Sequence, residues 1–249
     1  MDEPCSLMMV TYNRLELTKK TIGNIQAKAN YPYRMIIIDN GSTDSTPNWL
    51  RGLYFEDKNC IEYIYHLNET NRGIAIGRNQ ALKIADTKED NWLGCIDNDL
   101  DFPFSFLREC IEIMKVNPNF SIGVNMEVDN IYPLETINNK TFAIKKNGNL
   151  GSAMMCFNRK LHKEIGFFYT GFPSRLYATE DAEMGVRMRL AGYQLGYLKE
   201  MGLPFPGNLD TAEYRKWKDE CHATNLIPFR QRCSVLSSGK IPLYVPFTE

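Results

Sequence analysis

Long apolar runs are missing from this 249-residue chain, and no stretch approaches the roughly 18 consecutive apolar residues that a membrane-spanning helix needs. The N-terminus, MDEPCSLMMVTYN, is acidic and lacks an extended apolar core, so it does not read as a signal peptide. An excess of one charge is missing too. With 29 Lys and Arg against 30 Asp and Glu, the formal net charge is -1, and nothing global points to nucleic acid or an anionic membrane. The 7 cysteines form no Cys-x-x-Cys pair, which argues against a zinc site, and their scatter suits a reduced compartment. Neither a Gly-x-Gly-x-x-Gly fingerprint nor a P-loop is present; Gly73-Ile-Ala-Ile-Gly77 fits neither spacing. That weakens the dehydrogenase and kinase readings. No internal repeat or low-complexity run occurs. The expectation is a soluble, cytoplasmic protein.

What is present is an alternation of short apolar runs with helical patterns. Ser6–Val10, Arg34–Asp39, Ile61–Leu67 and Asn91–Ile96 read as buried strands, the second being β-branched and ended by an acid. Between them, Leu15, Ile22, Ile25 and Ala29 recur at helical spacing, Thr46-Pro47 looks like an N-cap followed by proline at the first helical position, and Gly73–Ala85 reads as a helix. Leu107, Cys110, Ile111 and Met114 mark one face of another helix. Such alternation implies a mostly parallel sheet covered on both faces. After Ser121 the pattern turns to strands at Ser121–Val128, Thr141–Lys145 and Ser152–Asn158, then a helix at Thr179–Ala191 and a strand at Tyr193–Leu198. The last 50 or so residues hold five prolines and resist assignment. One domain is expected, with residues 1–120 as one half and 121–249 as the other.

Polar clusters follow each of the first four strands, where open parallel sheets bind ligands. They are Thr11-Tyr12-Asn13-Arg14, Asp39-Asn40-Gly41-Ser42-Thr43-Asp44, Asn68-Glu69-Thr70-Asn71-Arg72-Gly73 and Asp97-Asn98-Asp99. In the stretch LGCIDNDLDF, Asp97, Asp99 and Asp101 stand too close to be buried unpaired, so something positive, or water, is expected among them. Asp39 can accept hydrogen bonds from a base or ribose. Arg78 and Asn79, early in a helix, can meet phosphate oxygens. Asp97 and Asp99 can hold a hard dication, Mn²⁺ or Mg²⁺, which keeps other positions for water and phosphate.

These residues resemble a known family. VTYNR, IIIDNGSTDST, NRGIAIGRNQAL and IDND follow in the order seen in family-2 glycosyltransferases of the GT-A fold, and YATEDAEMGVRMRLAGYQLGYL resembles that family's later Glu-Asp motif. The resemblance spans roughly Ser6 to Leu198. It implies a GT-A type, Rossmann-like central sheet with a small antiparallel extension. It also implies a nucleotide-sugar donor, UDP-linked by default, and inversion at the anomeric centre. Thr11, Tyr12, Asn13, Arg14, Asp39, Asn40, Ser42, Asn71, Gly73, Arg78, Asp97 and Asn98 would bind the donor. Asp99, with Asp97, would ligate the metal. Asp181 would be the general base, with Glu180 beside it.

Two departures matter. Many relatives carry a metal-ligating histidine where this chain has Phe205-Pro206, with His222 a later candidate. The Gln-x-x-Arg-Trp motif of processive enzymes is absent, so a single transfer is expected. The acceptor stays open among glycan, lipid-linked sugar, protein and nucleic acid. A sugar nucleotidyltransferase and a non-catalytic glycan-binding module are the alternative readings. Glu183 and Arg187, at i,i+4, are read as a surface pair. Arg215, Lys216, Lys218, Arg230 and Arg232 are read as a solvated face. Phe102, Phe104 and Trp217 offer faces on which sugar could stack, with core or interface packing the expected role of each.

Overall fold

The computed structural model describes residues 2–103, 105–124, 134–137, 139–144, 153–198 and 211–248. The elements in chain order are β1 (Cys5–Thr11), α1 (Leu15–Lys28), β2 (Tyr33–Asp39), α2 (Thr46–Gly52), β3 (Cys60–Leu67), α3 (Ile74–Asp86), β4 (Trp92–Ile96) and α4 (Phe106–Val116). Then come β5 (Phe120–Val124), β6 (Leu134–Ile137), β7 (Lys140–Ile144), β8 (Met154–Asn158), α5 (Arg159–Ile165), α6 (Glu180–Leu190), β9 (Gln194–Leu198) and α7 (Ala212–Ser237).

Among the described residues, nine strands form one sheet in the order β3-β2-β1-β4-β8-β5-β9-β7-β6. Neighbours β3, β2, β1 and β4 are parallel. β8 runs against both β4 and β5, and β7 against both β9 and β6. All other strands share one direction, which is the mostly parallel sheet expected. Successive residues on each central strand serve opposite faces. Leu7, Met9, Met35 and Ile37 join α1, α2 and α4 in one core, through Ile22, Ile25, Leu50 and Phe106. Met8, Ile36 and Ile38 join α3, α5 and α6 in the other, through Leu82, Leu161, Met184 and Met188. Burying each such side chain favours folding by about 1.5–3 kcal/mol before ordering costs.

Two sequence expectations need correcting. Ser45, not Thr46, occupies the N-cap of α2, so Pro47 sits one position further in, and the buried Thr46 hydroxyl finds no partner among the described residues. The C-terminal segment, unassigned above, is largely the 26-residue helix α7, which continues through Pro228. Short β6 and α5 were also missed. Residues 125–133 and 145–152, into which the expected strands ran, lie outside the described residues, as do Phe104 and Phe205-Pro206. Among the described residues, no helix is long and apolar enough to cross a membrane.

Candidate active site

Strand order reverses between β1 and β4: the chain steps from β1 to β2 and β3 on one side, then returns to lay β4 on the other. The crevice beyond the carboxyl ends of those strands is the expected ligand site of an open α/β sheet. A cavity of about 470 Å³ opens there. Its volume falls within the roughly 300–1,000 Å³ of small-molecule sites.

Of the donor-site candidates, Tyr12, Arg14, Asn40, Asn71 and Arg78 line this cavity. So do Asp97, Asn98 and Asp99 from the end of β4, and Glu180 and Asp181 from the start of α6. Thr11, Asn13, Asp39, Ser42 and Gly73 do not line it; they hold its wall. The Asn13 amide donates to the Ser42 hydroxyl (2.7 Å), and the Asn13 side-chain oxygen accepts from the Thr43 amide (2.9 Å), which ties the β1–α1 loop to the β2–α2 loop. Asp39 accepts from both the Ser42 amide and the Ser42 hydroxyl. Burial pushes the Asp39 carboxyl above its ordinary value, against those two hydrogen bonds. The buried Thr11 hydroxyl accepts from Asn98 (3.0 Å), fixing the β4 end against β1. Asn40 donates to Asn71 Oδ1 and to the Gly73 carbonyl, pinning the β3–α3 loop.

Two glycines are required here. Gly41 has φ 80° and Gly73 φ 90°. A Cβ at Gly41 would lie 2.4 Å from the Thr70 carbonyl carbon, and one at Gly73 would lie 1.9 Å from the Arg175 carbonyl oxygen. Gly73 therefore lets the loop before α6 approach the start of α3.

Each of the three clustered acids has its own cation. Arg78 bonds Asp97 at 3.0 Å, Arg14 bonds Asp99 at 3.1 Å and Lys28 bonds Asp101 at 2.9 Å. Asp101 also accepts from Asn24, and Lys28 holds its carboxyl below the ordinary value. It is tied to α1 and does not line the cavity. Asp97 keeps about 34% of its side chain exposed to the cavity. Its carboxyl is nonetheless pushed up to about 7, first by desolvation in the recess and then by Asp99 and Asp181, against Arg78. An entering cation would relieve that strain.

Arg78 is buried and also bonds Glu180 at 2.7 Å. It thereby links the end of β4 to the start of α6. Burial raises Glu180 to about 7, Asp181 adds to the rise and Arg78 opposes it. Glu180 Oε2 is buried with no hydrogen-bond partner among the described residues. Asp181 is half-buried at the cavity wall, its Oδ1 accepting from the Ala182 amide at 2.7 Å.

The loop leading into these acids is held in an uncommon shape: Ala178 has φ 81° and Thr179 φ 76°. Non-glycine residues at positive φ persist only where their surroundings enforce them. The enforcing group is Asn225 on α7, fully buried. It accepts from the Ser174 amide (2.8 Å) and donates to the carbonyls of Ser174 (3.1 Å), Tyr177 (3.3 Å) and Ala178 (3.0 Å). No sequence signal marks Asn225.

Helix α7 also brings Tyr214, Trp217, Lys218 and His222 to the cavity. Trp217 is thus a cavity residue, and Lys218 is not simply part of a solvated face. Phe102 is buried in the core against Phe106, as expected. Glu183 and Arg187 are not a surface pair: both side chains are 0% exposed. Arg232 is no surface charge either, since it bonds Glu183 at 2.7 Å.

Among the described residues, no group of three or more His, Cys, Asp and Glu side chains is arranged to hold a metal. Asp97 and Asp99 still fit a hard dication of the Mg²⁺ or Mn²⁺ type. Such ions take one or two carboxylates and fill the remaining positions with water and phosphate oxygens.

The chain resembles the poly-beta-1,6-N-acetyl-D-glucosamine synthase of Staphylococcus aureus, 24% identical over 265 aligned positions covering 99% of this chain. It spans 61% of the length of those curated relatives. Among solved structures, the mannosyltransferase PcManGT from Pyrobaculum calidifontis, solved with GDP-Man and Mn²⁺, superposes with a TM-score of 0.64 at 17% identity, over 90% of this chain and 61% of that one. Residues 1–349 of S. aureus TarS, solved with UDP, superpose with a TM-score of 0.60 at 18% identity, over 80% and 59%. These likenesses confirm the fold. The family model for glycosyl transferase family 2 matches residues 6–176, more than half of the sequence, and the chain therefore belongs to glycosyl transferase family 2.

Proposed function

We propose that the chain is the catalytic part of a metal-dependent, inverting glycosyltransferase. It would move a sugar from a nucleotide-sugar donor, UDP-linked by default, to an acceptor hydroxyl in single transfers. The observation that carries this reading is the meeting of two carboxylate pairs in one cavity: Asp97 and Asp99 from β4, and Glu180 and Asp181 from α6, joined through Arg78. The relatives' names support the same chemistry, one a polysaccharide synthase and others solved with GDP-Man and Mn²⁺ or with UDP.

Residues 1–120 would hold the donor and residues 121–249 the acceptor. Tyr12, Asn40 and Asn71, at the ends of β1 to β3, would line the nucleoside end. Asp39 would meet the base or ribose by exchanging its Ser42 hydrogen bonds for those of the ligand. Arg78 would face the diphosphate, held in place by Glu180 and Asp97. A Mn²⁺ or Mg²⁺ ion on Asp99 and Asp97 would stabilise the negative charge of the departing diphosphate. Asp181 would take the proton of the acceptor hydroxyl as its oxygen attacks the anomeric carbon and the bond to the diphosphate breaks. The transition state is oxocarbenium-like, so a base on the face opposite the leaving group inverts the centre. The unpartnered Oε2 of Glu180 would take a sugar hydroxyl.

The test is a screen of nucleotide sugars for metal-dependent hydrolysis by the wild-type chain, with two variants beside it. Asp99→Asn should abolish turnover and weaken metal-dependent donor binding. Asp181→Asn should keep donor affinity while turnover falls by roughly 10²–10⁴, the usual worth of a positioned base. Full activity after exhaustive chelation, or loss of donor binding in Asp181→Asn with turnover of bound donor intact, overturns the assignment.

A further inference from the structure

We propose that Tyr177, Trp217 and Tyr214 form a stacking platform for a saccharide acceptor, so that the acceptor hydroxyl belongs to a glycan. This rests on the glycosyltransferase reading above and names the substrate class of the same site.

Tyr214 and Trp217 stand three residues apart on the first turns of α7, their rings stacked at 5.3 Å and 21°. Trp217 leans on Tyr177 at 5.7 Å and 41°. All three are half-buried and line the catalytic cavity, so each stays partly exposed there. Three aromatic side chains left partly wet inside a cavity are not there to fill a core. Their electron-rich faces attract the weakly positive C–H faces of a pyranose ring, as they attract cations. Polar groups stand against the platform for the ring hydroxyls: the Lys218 ammonium lies over the Tyr177 and Tyr214 rings, 5.5 and 5.0 Å from their centres, where a saccharide would displace it, and His222 meets the Tyr177 ring edge-on at 5.7 Å.

Position selects the acceptor over the nucleoside. The nucleoside end of the cavity is built from β1, β2 and the β3–α3 loop. The platform comes from the other side. It begins over Arg14, whose guanidinium lies 5.9 Å from the Tyr214 ring and pairs with Asp99. It ends at Tyr177, three residues before Glu180, where the hydroxyl feels the charges of Asp97, Glu180 and Asp181 and is raised by burial and by them. A ring seated there presents its hydroxyls to Asp181. The family match ends at residue 176, so all three aromatics lie beyond it.

The experiment uses the full chain with Mn²⁺, and Trp217→Ala beside Trp217→Phe. Calorimetry measures UDP and UDP-N-acetylglucosamine affinity. Saturation-transfer NMR then measures cellobiose, chitobiose and maltotriose binding in the presence of UDP and Mn²⁺. The expected result is unchanged affinity for both nucleotides in both variants. At least one oligosaccharide should bind the wild type, bind about tenfold more weakly to Trp217→Ala, and recover in Trp217→Phe, which restores an aromatic face. Weaker UDP binding in Trp217→Ala would assign the platform to the base and overturn the proposal. Weaker UDP-N-acetylglucosamine binding with UDP unchanged would assign it to the donor sugar, with the same consequence. Binding of UDP but of none of the three oligosaccharides also overturns it. Failure of the wild type to bind any nucleotide defeats the underlying glycosyltransferase reading instead.

Discussion

Removing the Glu183 carboxylate should destabilise the fold far more than its place in an ordinary helical pair suggests. Glu183 Oε2 accepts from Arg187 Nε at 2.8 Å and its Oε1 accepts from Arg232 Nε at 2.7 Å. Arg187 also donates to the carbonyls of Ile165 (2.5 Å), Phe167 (2.8 Å) and Leu243 (3.4 Å). One carboxylate thus neutralises two guanidinium groups and fixes α6 to α7, to the end of α5 and to the C-terminal segment. The Glu183 and Arg187 side chains are fully buried and that of Arg232 is 15% exposed.

In Glu183→Ala both cations lose their counter-charge. Arg187 cannot reach water without breaking its carbonyl bonds. Breaking a buried pair by removing one partner costs about 3–5 kcal/mol. That is a large part of the roughly 5–15 kcal/mol by which domains are stable. Glu183→Gln keeps one acceptor oxygen, so one bond loses its charge assistance and the other is lost, because the amide NH₂ faces an arginine donor. At about 1–1.5 kcal/mol for the first and about 1.5–3 kcal/mol for the second, the expected loss is about 2.5–4.5 kcal/mol. Glu16→Ala is the control. Its bond to Lys19 is 2.8 Å long, yet Glu16 is 83% exposed, and no measurable loss is expected. Urea denaturation followed by circular dichroism gives the three differences. A loss below about 1 kcal/mol in Glu183→Ala would refute the claim that this carboxylate is the counter-charge of a sealed network.

Other outcomes follow from the cavity. Arg14→Gln should strengthen Mn²⁺ binding to the nucleotide-free protein severalfold by calorimetry, because Arg14 now competes for Asp99; unchanged or weaker binding would refute that competition. Asn225→Ala should lower turnover about 10- to 100-fold while UDP affinity holds, since it releases the loop that aims Asp181 rather than the donor site; equal loss in both would refute a positioning role. Glu180 has a folded-state value of about 7 against an ordinary 4.5, so its contribution to stability is full below 4.5 and is lost as pH rises through about 7. The nucleotide-free protein should therefore lose stability between about pH 5 and pH 8, and Glu180→Gln should flatten that slope; equal slopes in thermal melts would refute it.

The sequence announced the N-terminal half because its signals are local. β2 is a run of β-branched and apolar residues that must be buried, and the acid that ends it and those just beyond β4 have only the sheet's edge to occupy. Gly41 and Gly73 sit at turns whose backbone only glycine follows without strain. The C-terminal half is different because its decisive contacts are long-range. Glu183 and Arg187 at i,i+4 look the same whether water or α7 lies above them. Only α7 decides, and Pro228 hides α7 from a reading by propensity. Asn225 is one polar residue among many on a helix of weak periodicity, yet it holds three carbonyls of the loop before Asp181.

The cluster at the end of β4 shows where the two kinds of information part. Sequence alone requires positive charge or water near Asp97, Asp99 and Asp101, since three carboxylates that close cannot share a recess uncompensated. It does not say which cations, because Arg14, Lys28 and Arg78 come from other elements. The partners differ in how readily they can leave. Arg78 is 5% exposed and clamped by Glu180 as well, so it stays when ligand arrives. Lys28 holds Asp101 outside the cavity. Arg14 is 26% exposed and faces the open cavity, so its bond to Asp99 is the one a dication can replace at least cost. Because Arg14 also underlies Tyr214, a metal entering with the donor would act on the first ring of the platform. Donor loading and acceptor binding would then be coupled through one side chain, and each ligand would strengthen the other's binding by the same factor.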